Sequence, residues 1–135
     1  MKTQPALAVV LKALAPVILA VSALHVALGG GADVLLGARL PAEVLADPAL
    51  NSQNRFYGVA FGLYGVLLYL CSTNLAKYAT VLRCVLWVFF AGGLARLVSI
   101  ATHGPPPPLV VVLLITELVV PPLLILWLSK ALRGG

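Results

Sequence analysis

The chain is poor in charge. Only 10% of its 135 residues are Asp, Glu, Lys or Arg, against about 25% in an ordinary soluble domain. Just four are acidic: Asp33, Glu43, Asp47 and Glu117. With 61% hydrophobic residues and a mean hydropathy of +1.07, this scarcity excludes a water-soluble fold. Cysteine is almost missing. Cys71 and Cys84 form no CxxC motif and fall near the cytoplasmic ends of their segments, where thiols stay reduced, so disulfide chemistry is not expected. The two histidines, His25 and His103, belong to no zinc-ligand spacing, and no metal site is expected. Basic residues are scattered singly among apolar segments instead of forming a stripe, so the net charge of +5 does not point to nucleic acid. Convincing internal repeats and long polar linkers are lacking too, which leaves no room for a separate catalytic domain.

What remains is hydrophobic run. A membrane-spanning helix needs about 20 mainly apolar residues, and stretches near 7–29, 55–76, 79–101 and 109–129 qualify. The expected fold is all-α, a polytopic four-transmembrane-helix bundle with residues 1–135 as one domain. The side carrying the termini and the turn between spans two and three holds Lys2, Lys12, Lys77, Arg83, Lys130 and Arg133 and no acid. The other side holds Asp33, Glu43 and Asp47 with Arg39, plus Arg55 at the mouth of span two. The positive-inside rule therefore places both termini in the cytoplasm and the long first loop outside. A cleaved secretory signal is the rival reading of span one, because Lys2 and Lys12 precede an apolar run ending in small residues; the run is long for a signal core.

Local features fill in this frame. Pro16 removes the helical donor to the Lys12 carbonyl and is expected to bend span one, and Gly29, Gly30 and Gly31 are expected to stop it. In the loop from Gly31 to Asn54, the spacing of Leu40, Val44 and Leu45 after Pro41 predicts a short amphipathic helix at the outer interface, ended by Asp47 and Pro48. Gly58, Gly62 and Gly65 share one face of span two, which suits close approach of another helix. Gly92, Arg96, Ser99 and His103 share one face of span three, expected to point inward. Trp87 and Tyr78 read as packing or interfacial aromatics. Pro105 to Pro108 form a stiff link to span four, where Pro121 and Pro122 free the carbonyls of Glu117 and Leu118.

The charges inside these spans carry the functional signal. An ionisable group in hydrocarbon costs roughly 2.5 to 3.5 kcal/mol even on lenient scales, so it is normally paired or functional. At 1.5 Å rise per residue, Arg96 in span three and Glu117 in span four both lie about 10 to 12 Å inside the same membrane face. His25, Asn54, Arg55 and His103 fall in the same half. The candidate ligand-binding set is thus Arg55, Arg96, Glu117, Asn54, His25 and His103. A cation at a helix start is disfavoured by the macrodipole, so Arg55 calls for an anion nearby: Glu117, a lipid phosphate or a loop acid.

The runs Ser52-Gln53-Asn54-Arg55-Phe56-Tyr57-Gly58 and Gly92-Gly93-Leu94-Ala95-Arg96-Leu97, followed by Glu117-Leu118, carry a resemblance that covers nearly the whole chain. The sequence resembles a family of small bacterial four-helix membrane proteins filed as a domain of unknown function, and more distantly looks like the DoxX-like group. The resemblance implies a four-helix inner-membrane bundle and no catalytic residues.

Three functions fit. In the first, two guanidinium groups against one carboxylate form a cationic pocket in the outer leaflet for a small amphiphile such as a lipid headgroup or a quinone. In the second, the chain is an accessory subunit whose Gly58, Gly62 and Gly65 face docks a protein partner or a second copy. In the third, Glu117 serves a membrane isomerase, which its neighbour Arg96 opposes by holding it ionised. A purely structural Arg96–Glu117 pair fits the same residues. Membrane lipids are partners in every case, and the sequence leaves any cofactor unknown.

Overall fold

The computed structural model describes residues 3–133; Lys2, counted above with the basic residues of the terminal side, lies outside them. Four helices are long and apolar enough to cross a membrane: α1 (Thr3–Leu28), α4 (Pro48–Thr73), α5 (Ala79–His103) and α6 (Pro108–Arg133). Two short helices, α2 (Gly30–Leu35) and α3 (Ala42–Ala46), lie between α1 and α4. The described residues contain no strand, and the protein is a multi-pass, all-α four-helix membrane bundle.

Helices of 26 residues, as in α1, α4 and α6, are about 39 Å long and outreach a hydrocarbon layer of about 30 Å. This explains why α4 begins earlier than its apolar run. Asp47 caps it, its carboxylate accepting the N–H of Leu50 at 2.9 Å, with Pro48 in the first turn. Asp47 and Pro48 thus end α3 and start α4 at once, and Asn51 to Asn54 form helical turns instead of loop. Nor do the three glycines simply stop α1. The chain turns at Gly29, with φ of 55°, and Gly30 and Gly31 open α2. Pro16, Pro121 and Pro122 sit inside continuous helices.

The helices pack as two pairs, α1 with α4 and α5 with α6. Glycine sets the first pair. A Cβ on Gly65 would stand 3.0 Å from the Ala15 carbonyl oxygen and 2.7 Å from Leu19 Cγ, and one on Gly62 only 2.5 Å from Ser22 Oγ. Ser22 uses that proximity to donate a hydrogen bond to the Gly58 carbonyl at 2.7 Å. The neighbour admitted by Gly58, Gly62 and Gly65 is therefore α1 of the same chain, and a partner would have to displace α1 to reach this face. That corrects the expected docking role. In the second pair Gly93 does the same work, a Cβ there meeting Leu118 Cδ2 at 2.8 Å.

The two pairs meet at the end of the bundle that holds the termini. Leu7, Leu11, Leu68, Leu82 and Leu128, with Cys71 and Val85, form one buried cluster drawn from all four spans. Gln4 fastens α1 to α6 there by donating to the Ala131 carbonyl at 3.1 Å. Above this cluster Phe61, Tyr64 and Phe89 stack, with centroids 4.8 to 6.2 Å apart, and close off the core. Beyond them the pairs part.

A polar cavity between two helix pairs

Between the parted helices lies a half-open cavity of about 570 Å³ on the loop side. Val17, Ile18 and Val21 of α1 face Leu109, Val110 and Leu113 of α6 across it. Apolar residues make these walls because both helices are apolar nearly all round. Polar groups enter from two directions.

One is the pair expected from the matched depths. Arg96 Nε donates to Glu117 Oε2 at 2.7 Å and Nη2 to Oε1 at 3.1 Å, a bidentate contact in which Glu117 is the more buried partner. Arg96 is 39% exposed, and its Nη1 amino group has no hydrogen-bond partner among the described residues. Both residues line the cavity.

The other joins two expected residues, His25 and Asn54, to a third from the loop. His25 Nδ1 donates to the Val21 carbonyl at 2.8 Å, while Nε2 lies 3.4 Å from Asp33 Oδ1. The second oxygen of Asp33 accepts from Asn54 Nδ2 at 2.5 Å. A helix end, a short helix and the start of α4 are tied together by this chain of contacts. Asp33, expected in the outer loop, lines the cavity. Its signal was its position eight residues after His25, across a glycine that reverses the chain.

Two expected residues do not join. Arg55 is exposed and turned to the end of α1, where it donates to the carbonyls of Val26 and Ala27 and to Asn51 Oδ1. Its position is two turns into α4, and the unsatisfied carbonyls at the negative end of α1 supply what was sought from an anion. His103 is likewise exposed, bonded to its neighbour Thr102 at 2.7 Å. The stripe it shares with Gly92 and Ser99 also faces outward, and a Cβ on Gly92 would meet nothing within 4 Å. Arg96 alone of that stripe reaches the interior, because the face of α5 that meets α6 centres on Gly93.

A smaller cavity of about 220 Å³ lies next to the first, covered by Leu40, Val44 and Leu45. The amphipathic helix α3 forms as expected, but its apolar side covers α2, with Leu45 over Gly30. Asp33, Asn54 and Tyr57 line both cavities and form the partition. No cluster of three or more metal-ligating side chains occurs among the described residues.

Four spans, a packed terminal end and, at the other end, a mainly apolar hollow with a few polar groups define the class: a small multi-pass membrane protein with a cavity between its helix pairs. The chain belongs to the family described as Domain of unknown function (DUF4345), which it matches over residues 14–128. Neither a curated protein nor a solved structure matches it.

Proposed function

We propose that the larger cavity binds a small amphiphile, its apolar body against α1 and α6 and its polar head at the Arg96 and Asp33 walls. The observation that carries this reading is the cavity itself. Its volume falls within the roughly 300 to 1,000 Å³ of small-molecule sites, and its apolar walls with a few convergent polar groups follow the same pattern. With Arg55 committed elsewhere and Asp33 present, two carboxylates face one guanidinium and one imidazole. Such a balance favours a neutral or zwitterionic head, a quinone or a lipid headgroup, over the anion expected from two arginines.

The setting belongs to the same proposal. The protein resides in a bacterial inner membrane with both termini cytoplasmic, supported by the basic residues of the terminal end, so the cavity opens toward the outer leaflet. A distant kinship with the DoxX-like group, suggested by the span count and short motifs, is also part of this reading. The subunit alternative has lost its glycine face, and the isomerase alternative finds both Glu117 oxygens engaged by Arg96.

Native mass spectrometry of the detergent-purified protein tests the reading. Wild type is expected to retain a small molecule, and Val110→Trp, which puts an indole into the cavity, to lose it. Wild type without a retained small molecule, or an unchanged complement in Val110→Trp, would overturn it.

A further inference from the structure

Asn54 holds the one buried side-chain polar atom without a partner among the described residues, its Oδ1. The amide cannot be turned to remedy this. Its Nδ2 already donates to Asp33 Oδ2 at 2.5 Å, and the reversed rotamer would set two acceptors against each other. Buried acceptors are normally satisfied, and this one belongs to the partition between the two cavities.

Asp33 makes a similar demand. One of its oxygens accepts from Asn54, while the other stands 3.4 Å from His25 Nε2, too long for a good hydrogen bond. The partition therefore offers two underused acceptors on hydrogen-bonded neighbours, with Arg96, the larger cavity's main cluster of donors, on the opposite pair of helices. The smaller cavity behind the partition adds room for a few heavy atoms, covered by α3.

We infer that the Asp33–Asn54 partition and the smaller cavity form a head-group subsite selective for a hydrogen-bond donor, a hydroxyl or an amine, on the end of an apolar chain lying in the larger cavity. This rests on the proposed function and names the ligand class within it. A donor arriving between Asp33 and Asn54 swings the amide, satisfies Oδ1 and opens the partition, so that the two cavities become continuous. Carboxylates are rejected, because they would bring a third anion beside Asp33 and Glu117. Ethers, esters and oxidised quinones are disfavoured because they have no proton to give, which narrows the proposed class to heads that carry a hydroxyl or an amine.

Displacement of the fluorescent probe 1-aminoanthracene from the full-length protein in detergent tests this. The competitors are decan-1-ol, its methyl ether and decylamine. The readout is each donor's advantage over the ether, compared between wild type and the variants Asn54→Leu and Asp33→Ala; partitioning into micelles is common to all and cancels. Loss of one hydrogen bond should lower the advantage roughly fivefold to tenfold in both variants. Asp33→Ala, in a short surface helix, keeps the test readable if Asn54→Leu does not fold. A fall for the alcohol identifies the donor as a hydroxyl, and a fall for the amine alone identifies it as an ammonium; either supports the subsite. An advantage unchanged in the folded variants overturns it. Should Val110→Trp fail to remove probe binding, the pocket reading beneath it falls instead.

Discussion

At the terminal end of the bundle, Leu7, Leu11, Leu82 and Leu128 are fully enclosed, whereas at the loop end Val17, Val21, Val110 and Leu113 line a cavity of about 570 Å³ and the helix pairs stand apart. The same four spans build both ends. The difference lies in what holds the pairs together. The terminal end relies on interlocked leucines from every span. In the loop half, α1 stays on α4 through Gly58 and Ser22, and α5 on α6 through Gly93 and the Arg96–Glu117 pair, but little side-chain volume crosses between the pairs. Lipid tails are as apolar as leucine, so packing and hydrogen bonds, not water, decide whether transmembrane helices meet. A region can be apolar and still stay hollow when no side chains interlock across it.

The largest expected effect comes from breaking the ion pair that serves the hollow end. Removing one partner of a buried pair typically costs about 3 to 5 kcal/mol, while replacing both with apolar groups is often near neutral. Arg96→Leu and Glu117→Leu should each destabilise the protein strongly in reversible detergent unfolding, and the double variant should recover much of the loss. Simple addition of the two single effects would show that the pair does not act as a unit.

Truncation inside the packed end should follow. Leu82→Ala empties a fully enclosed position and should cost about 2 to 5 kcal/mol. The matched change Leu113→Ala, in a wall that already borders space, should cost well under half as much. Equal losses in the same unfolding assay would erase the contrast between the ends.

Glycine supplies a sharper, smaller test. Gly65→Ala forces a methyl group against a carbonyl oxygen at 3.0 Å and should cost about 1 to 3 kcal/mol, as overpacking does. Gly92→Ala has open space around it and should be neutral or slightly stabilising, since alanine is the better helix former. Circular-dichroism melting of the two variants distinguishes them.

Smallest is the effect of Arg55. Its guanidinium satisfies carbonyls at the end of α1, so Arg55→Gln should cost about 0.5 to 1 kcal/mol while leaving probe affinity in the cavity unchanged. A loss of binding without loss of stability would return Arg55 to the site.

Much of this was legible in the sequence because hydrophobic length and charge depth are local quantities. The four spans follow from apolar runs alone, and the Arg96–Glu117 pair from counting residues inward from one turn. Facing was harder to read. α5 shows almost no difference in hydrophobicity between its faces, so the polar stripe through Gly92, Ser99 and His103 reads as an inward face, whereas the close approach at Gly93 turns most of it outward. Likewise, the polar run Asn51 to Asn54 reads as loop, although helices extend past the hydrocarbon layer. Asp33 depended on the positive φ of Gly29, which reverses the chain and brings an apparent loop acid back against His25; periodicity carries no trace of such a turn.

The claim that one end is solid and the other hollow is tested most directly by making one substitution in both. Val85 lies in the packed cluster and Val110 in the cavity wall, so the melting temperatures of Val85→Trp and Val110→Trp, measured in the same detergent, compare the same added volume in the two places. Val85→Trp should fall well below wild type, and Val110→Trp should melt at or above it. Equal falls would contradict the account, because they would mean that the loop end has no space to fill.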